Sequence, residues 1–162
     1  MAKKKKSHEA VDGGWLVDVP TTLKQSFPFP SSVLWQALLD GPAWTEWLPL
    51  DSVKWTSEEP FGVGTTRTVC IGNDVIDEVF FAWEDQKQMA FRFDASTLPL
   101  SAAVEDYRLQ DTETGCDLLW TFRVRAIFPI GWILQAKLKS TLKTGLPKLE
   151  ALINADPGRF GA

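Results

Sequence analysis

The sequence predicts an α+β fold in which a curved antiparallel sheet wraps around one long C-terminal helix. Two observations support this. Residues 50 to 125 contain six strand-like runs with no helical pattern between them, and residues 129 to 153 carry one long helical pattern. Strands joined by short connections pair antiparallel. Because a sheet and an amphipathic helix must each bury an apolar face, we expect two packed layers.

The C-terminal helix is predicted from apolar residues that recur every three or four positions, the spacing of one helix face. These residues are Ile130, Ile133, Leu134, Leu138, Leu142, Leu146, Leu149, Leu152 and Ile153. Pro129 favours the helix start, and Pro147 predicts a kink rather than an end. Four lysines flank the stripe, at positions 137, 139, 143 and 148, and we expect them to be solvated.

A first strand is expected at residues 20 to 27, followed by two short helices within residues 31 to 40 and 42 to 49. Prolines bound the second helix, and Trp44 and Trp47 share one of its faces because they are three residues apart. Two roles are open for this pair. The tryptophans either pack the helix on the sheet or cap one end of a cavity as a lid.

Six further strands are expected at residues 52–57, 65–71, 75–83, 88–95, 102–109 and 118–125. Turn-forming Gly, Pro, Asn and Asp residues separate them. Clear alternation predicts one apolar face made of Met89, Phe91 and Phe93, and another made of Leu118, Trp120, Phe122 and Val124. In residues 75 to 83 the parity is ambiguous because Phe80 and Phe81 are adjacent. There we predict that Val79, Phe81 and Trp83 point inward.

Length and composition predict a single domain at residues 15–156. The 162 residues are 44% hydrophobic, which is ample for one core. We predict that residues 1–14 form a disordered basic tail and that residues 157–162 are a disordered end. The net charge is −4, and residues 3 to 6 are all lysine, so the remainder carries about −8. A domain this acidic argues against a nucleic-acid partner.

Localisation is predicted to be cytoplasmic, without stable membrane insertion. The first fourteen residues contain no apolar run of the kind found in a signal peptide. The longest late apolar run, residues 128 to 134, is far shorter than the ~20 residues that span a bilayer. A membrane-binding role for the lysine run would need a second anchoring signal, which the sequence does not show.

Metal and cofactor chemistry are not expected. Cys70 and Cys116 are the two cysteines, too few for a disulfide framework and without metal-site spacing. The single histidine, His8, falls in the predicted tail, so the commonest general base is missing from the domain. We therefore assign no catalytic residue, no metal ligand and no cofactor.

Four segments carry a family resemblance: VLWQALLDGPAWTEWLP at 33–49, FGVGTTRTV at 61–69, EVFFAWEDQKQMAFRF at 78–93 and CDLLWTFRVR at 116–125. Together they resemble the START-like, or helix-grip (SRPBCC), superfamily, which includes polyketide cyclase/dehydrase and lipid-transport proteins. The resemblance covers about residues 20 to 153. One departure is that family members often carry proline after the Trp-Asp pair of the fourth strand, whereas Trp83 is followed here by Glu84, Asp85 and Gln86.

The resemblance implies a seven-stranded sheet gripping the C-terminal helix, two short helices between its first two strands, and a hydrophobic cavity opening near those helices. Aromatic residues are the candidate ligand-binding wall: Trp44, Trp47, Trp55, Phe81, Trp83, Phe91, Phe93, Tyr107, Trp120, Phe122 and Trp132. The alternative is a filled core, because large aromatics can plug the space they line.

Polar candidates for the cavity are Arg67, Glu78, Asp106 and Tyr107, although a solvated or rim position is expected for each of them. An inward carboxylate beside apolar walls would have a raised pKa and could act as an acid or base.

Three function classes remain open. The first is a carrier or sensor of a hydrophobic small molecule or lipid, acting as a monomer or weak homodimer. The second is an enzyme of the cyclase or aromatase kind, and the third is a ligand-free interaction protein. An inward Arg, Asp, Glu or Tyr at the cavity's end would favour the enzyme, and a filled cavity would favour the interaction protein.

Overall fold

The computed structural model describes residues 3–18 and 21–162, so our expectations for positions 1, 2, 19 and 20 lie outside the described residues. The strands are β1 Lys6–Ser7, β2 Thr21–Phe27, β3 Ser52–Trp55, β4 Thr66–Ile71, β5 Asp74–Glu84, β6 Gln88–Ser96, β7 Ala102–Thr112 and β8 Gly115–Arg125. The α-helices are α1 Ser31–Leu39, α2 Trp44–Trp47 and α3 Ile130–Ala155. Short 3-10 helices cover Gly13–Leu16 and Pro157–Phe160.

The sheet has the strand order β2-β8-β7-β6-β5-β4-β3, and every pair in it is antiparallel. Consecutive strands β3 to β8 form a meander, and β2 returns to pair with β8 along its full length. The helices α1 and α2 lie between β2 and β3 in the chain, and α3 packs against the sheet and α2. The predicted fold, a seven-stranded antiparallel sheet around a C-terminal helix, is confirmed.

Strand β5 corrects our predicted orientation. Phe80 is buried against the core, whereas Val79 and Phe81 point to the other face of the sheet. The pairing with β6 shifts register between Phe80 and Ala82, so Trp83 returns to the core side and lies 5.3 Å from the Phe80 ring. A bulge inserts one extra residue and inverts the parity beyond it. The inward assignment was therefore wrong for Val79 and Phe81, and Trp83 packs against the core as expected.

The predicted disordered N-terminal tail is also corrected. Lys6 and Ser7 form β1 and pair with the last two residues of β6, beyond the point where β7 stops pairing with that strand. His8 donates its backbone N–H to Asp94, and its Nε2 lies 2.6 Å from Ser96 Oγ. A free strand edge offers unpaired backbone groups, and the short β1 uses them. Composition alone gives no sign of this pairing.

The predicted disordered C-terminal end is likewise ordered against the fold. Phe160 is buried, and Arg159 donates from Nε to Asp40 at 2.9 Å and from Nη1 to Glu46 at 2.7 Å. These partners lie at the end of α1 and within α2, more than one hundred residues earlier in the chain. The Asn, Asp, Pro and Gly residues after α3 predicted where the helix ends. They gave no sign of these contacts, because such pairing depends on tertiary structure.

Helix α3 is continuous through Pro147, and its two halves pack differently. In the C-terminal half, Leu146, Leu149 and Ile153 are buried. A Cβ added at Gly145 would lie 2.6 Å from Leu48 Cδ2, so only glycine allows α3 to approach α2 this closely. The N-terminal half is less covered: its residues Leu134 and Leu138 are only partly buried. The space beneath this half is the candidate site.

Candidate functional site

A cavity of about 450 Å³ lies between the sheet and the N-terminal half of α3. Its wall is mainly aliphatic, with Leu48, Pro49, Leu50, Val69, Ile71, Ile76, Leu98, Leu100, Val124, Leu134, Leu138 and Leu142. Aromatic side chains contribute at Trp44, Phe93, Tyr107 and Trp120. The core is therefore not filled throughout, and the open volume lies where a helix-grip fold is expected to leave it.

The mouth of the cavity is marked by the lining residues that reach solvent. These are Pro49 on the segment after α2, Ile71 at the end of β4, and Lys137 on α3. Trp44 and Trp47 are buried, and the Trp44 indole N–H donates to the backbone oxygen of Leu38 at 2.9 Å. Trp44 therefore lines the inner wall and Trp47 is buried behind it, so neither covers the mouth as the lid that we considered.

Four buried polar side chains gather at the inner end of the cavity: Arg67, Glu78, Glu105 and Tyr107. Arg67 on β4 and Glu78 on β5 are direct cross-strand partners, so both side chains leave the sheet on the same face. Arg67 Nε and Nη2 each lie 2.6 Å from Glu78 Oε2. The result is an ion pair closed off from water.

The Arg67 guanidinium is surrounded by aromatic rings. Its central carbon lies 4.6 Å from the Trp44 ring, 4.9 Å from Phe91, and 5.2 Å from both Trp55 and Phe80. Ring faces attract a cation electrostatically, which partly compensates for lost hydration. Burial acts to lower the pKa of Arg67, but the acidic groups around it together shift that pKa upward. The Nη1 atom is buried and has no hydrogen-bond partner among the described residues.

Glu105 and Tyr107 occupy successive inward positions of β7. The Tyr107 hydroxyl donates to Glu105 Oε2 at 2.9 Å. Burial, aided by the charge of Glu78, raises the pKa of Glu105 to about 8, and burial also raises the pKa of Tyr107 well above its ordinary value. Glu105 is therefore mainly protonated at neutral pH. Such a neutral carboxyl can donate a hydrogen bond, and its titration falls in the range of acid–base chemistry.

Trp120 completes the inner end from β8. Its ring lies 4.0 Å from the Tyr107 ring, centre to centre. Its indole nitrogen makes no hydrogen bond of ordinary geometry within the described residues, although it lies near enough to Glu105 to oppose the rise of that carboxyl's pKa. The indole N–H therefore lies at the edge of the polar cluster without a well-formed hydrogen bond.

The aromatic wall predicted from sequence is only partly brought together. Four of its members line the cavity: Trp44, Phe93, Tyr107 and Trp120. Three are buried behind that wall: Trp47, Phe91 and Phe122. The remaining four lie elsewhere, with Trp55 and Trp83 packed against Phe61, Phe81 on the outer face of the sheet, and Trp132 exposed.

Among the predicted polar candidates, Arg67, Glu78 and Tyr107 reach the cavity. Asp106 does not, because it points to the outer face, where Gln88 and Arg108 donate to it. Glu105 was missed. Adjacent strand residues face opposite sides, so an inward Tyr107 requires an inward Glu105 and an outward Asp106. That parity was available in the sequence as a signal for Glu105.

Two features are absent from residues 3–18 and 21–162. No group of three or more His, Cys, Asp or Glu residues is arranged to hold a metal ion there. Over the same residues, no helix is long and apolar enough to cross a membrane. Besides the polar cluster at the inner end, the described part of the cavity wall carries Asp74, Lys137 and Thr141.

Comparison with solved structures agrees with the observed architecture. Ara h 8.0201 superposes with a TM-score of 0.69 at 13% identity, covering 85% of this chain and 99% of the other. DynU16, a protein from the dynemicin biosynthetic locus, superposes with a TM-score of 0.64 at 18% identity, covering 85% of this chain and 48% of the other. At these identities the likeness concerns the fold alone.

Sequence comparison gives a nearer relative and the family. An uncharacterized protein of Mycobacterium tuberculosis is 43% identical over 99 residues, which span 59% of this chain and 59% of that protein. The family model described as polyketide cyclase / dehydrase and lipid transport matches residues 20–154. This match covers the sheet, the short helices and nearly all of α3. The chain belongs to the polyketide cyclase/dehydrase and lipid transport family.

Proposed function

We propose that this protein binds an apolar small molecule in the cavity beneath the N-terminal half of α3, as a carrier or sensor. The observation that carries the proposal is the cavity of about 450 Å³, whose wall is mainly aliphatic and aromatic. Pockets of small-molecule sites commonly measure about 300 to 1,000 Å³ and combine apolar walls with few polar groups. The family, whose description includes lipid transport, supports the same conclusion.

Fluorescence titration with the uncharged probe N-phenyl-1-naphthylamine tests this proposal. The wild type should bind the probe with enhanced emission, because the probe moves from water into an apolar site. Leu138→Trp should abolish the enhancement by filling the cavity, while Lys139→Trp, on the solvated face of the same helix, should keep it. Equal probe binding by the two variants, with both folded, would place the probe elsewhere and contradict the proposal.

An acid–base enzyme is the second candidate, and the buried Glu105 favours it. The reaction within reach is enolisation: a Glu105 carboxylate takes a proton from the carbon beside a ligand carbonyl, and the electron pair moves to the carbonyl oxygen. Returning the proton reverses the step, so no other reactant is needed. The pKa of about 8 keeps both protonation states available near neutrality.

Proton exchange in D₂O tests the enzyme candidate. Deuterium incorporation into the methyl group of 2-acetonaphthone is followed by NMR with wild type and with Glu105→Gln. An enzyme should accelerate exchange above the buffer rate, and the glutamine variant should return it to that rate. Binding of the ketone without acceleration by the wild type would eliminate the enzyme and leave the carrier.

A further inference from the structure

We propose that the cavity selects an uncharged ligand bearing a keto or hydroxyl oxygen, which enters oxygen first and accepts hydrogen bonds at Glu105 and its neighbours. This inference rests on the proposed binding function and specifies its ligand class. The evidence is the composition of the polar cluster at the inner end of the cavity. Its charges cancel, and it holds more hydrogen-bond donors than acceptors.

Charge balance excludes an anionic head group from the inner end. Arg67 and Glu78 neutralise each other across their 2.6 Å contact. Glu105 with its proton and Tyr107 add no charge, so the cluster is neutral near pH 7. A carboxylate placed there would be a second, unpaired buried anion, which is strongly unfavourable.

Donor balance favours an acceptor oxygen. Arg67 Nη1 is buried and has no hydrogen-bond partner within the described residues. Trp120 Nε1 is buried and makes no hydrogen bond of ordinary geometry there, although it faces Glu105. The protonated Glu105 has a further O–H to give, since its Oε2 already accepts from Tyr107. Buried donors left without acceptors are costly, and a ligand oxygen among them would recover that free energy.

The titratable and polar groups that face Glu105 come from four strands, while its direct partner on β6 is the apolar Phe91. They are Arg67 on β4, Glu78 on β5, Tyr107 on β7 and Trp120 on β8. The part of α3 on the cavity wall contributes one titratable side chain, Lys137 at the mouth, and Asp74 lies at the same outer end. Raising the pH through about 8 therefore ionises Glu105 first, removes a donor and makes the inner end negative.

A matched ligand series tests the selection by displacement of N-phenyl-1-naphthylamine. Naphthalene, 2-acetonaphthone and 2-naphthoate share one ring system. At pH 7 the ketone should bind roughly 3- to 10-fold tighter than naphthalene, the value of one good hydrogen bond, and the carboxylate should bind more weakly than both. At pH 9 the preference of the wild type for the ketone should disappear.

Glu105→Gln is the control, because its amide still donates but does not titrate. Whatever preference for the ketone this variant shows at pH 7, it should show the same preference at pH 9. Equal binding of ketone and naphthalene by the wild type at pH 7 overturns the selection while leaving the binding function intact. If none of the three ligands binds, the proposed function itself fails. Binding of the three ligands to the wild type tests the selection even if the variant does not fold.

A different observation concerns the surface beside the mouth. Four large apolar side chains are exposed just before and within the first turn of α3, and we name them the apolar tip: Ile127, Phe128, Trp132 and Ile133. Phe128 is 89% exposed and Trp132 is 72% exposed. Large apolar side chains that are exposed so close together in the chain suggest an interaction site.

We infer that the apolar tip docks on an anionic lipid surface and brings the cavity mouth to it. Lysines supply the charge complementarity: Lys137 follows Ile133 by one helical turn, and Lys139 follows Trp132 by two. Trp and Phe settle at the membrane interface, and lysines are attracted to acidic headgroups. Apolar insertion plus basic charge provides the two signals that reversible membrane binding needs.

Vesicle sedimentation tests the docking surface. Wild type should bind phosphatidylcholine vesicles that contain phosphatidylglycerol, and bind pure phosphatidylcholine much less. Phe128→Ser with Trp132→Ser should weaken binding by about tenfold or more, since it removes two exposed apolar side chains that would be buried in the membrane. Val63→Ser is the matched control, because Val63 is 72% exposed and lies outside the apolar tip.

Two outcomes would overturn this inference. One is equal vesicle binding by the double variant and the Val63→Ser control. The other is a dimer in sedimentation velocity that the double variant dissociates, which would assign the apolar tip to a second copy of the chain.

Discussion

The two halves of α3 carry the same kind of apolar stripe, but one half is packed and the other lines a cavity. In the C-terminal half, Leu146, Leu149 and Ile153 are buried, and Gly145 lets the helix touch α2. In the N-terminal half, Leu134 and Leu138 line a cavity and are only partly buried. The difference comes from what lies opposite each half.

Opposite the C-terminal half are Trp47 and Leu48, which fill the space up to the helix backbone. Opposite the N-terminal half lies a charged pair, Arg67 and Glu78, on the inner wall of the cavity. Closing the gap would press aliphatic side chains onto buried polar groups that still have donors to satisfy, which gains little. Periodicity therefore predicts that α3 packs against the sheet. The residues that face each half of the helix determine how closely that half packs.

The largest expected effect comes from breaking the polar wall. Glu78→Ala leaves Arg67 as an unpaired buried charge and should destabilise the protein by about 3 to 5 kcal/mol, measured by urea denaturation. The double variant Arg67→Met with Glu78→Leu removes both charges and should recover most of that loss. If the double variant is as unstable as Glu78→Ala, the ion pair is not the reason for the single variant's instability.

The next effect compares the two halves directly. Leu149→Ala should cost about 2 to 5 kcal/mol because it opens a cavity in a packed region. Leu138→Ala enlarges a cavity that already exists and should cost less than about 2 kcal/mol. Thermal or urea unfolding of the two variants and the wild type, all without ligand, measures both losses. Equal losses would show that the helix is packed uniformly along its length.

Much of the fold was predictable because periodicity is a local signal. The strands of the meander and the bounds of α3 follow from alternation, helical spacing and turn residues, and the structure matches them within a few residues at each end. The features that escaped prediction depend on tertiary structure. The bulge after Phe80, the pairing of Lys6–Ser7 with β6 and the ion pairs of Arg159 have no signature in the neighbouring sequence.

The candidate site was predictable in type but not in detail. Sequence reasoning named Arg67, Glu78 and Tyr107, and strand parity would have added Glu105 had it been applied to β7. It could not separate aromatics that line a cavity from those that fill the core behind it. That distinction depends on which half of α3 lies across from each ring, as the exposed Trp132 illustrates.

A smaller effect tests the close packing of the C-terminal half of α3. Gly145→Ala should raise helix propensity by about 1 kcal/mol, yet its Cβ would lie 2.6 Å from Leu48 Cδ2 and 2.9 Å from the Trp47 carbonyl. We expect a net loss of about 1 to 3 kcal/mol from overpacking. Thr144→Ala, on the exposed side of the same turn, should be neutral or slightly stabilising. A stabilised Gly145→Ala protein would mean that α2 and α3 are not in close contact.

The effect with the smallest change at any one step of the titration is a pH dependence centred on Glu105, beneath the loosely packed half of α3. Burial raises the pKa of this carboxyl from its ordinary 4.5 to about 8. Between those two values the unfolded chain has released the proton while the folded chain keeps it, so the folded state binds more protons. Glu105 therefore contributes stability that is fully present below about pH 4.5 and is lost as the pH rises through about 8.

The slope of this loss is at most about 1.4 kcal/mol per pH unit, and Glu105→Gln should remove it. Urea unfolding of both proteins at several pH values between 5 and 9 isolates the contribution, because every other titrating group is common to the two. The difference in unfolding free energy, wild type minus variant, should fall steadily up to about pH 8 and then level off. A flat difference would mean that the carboxyl is ionised in the folded protein and that the inner end of the cavity is open to water.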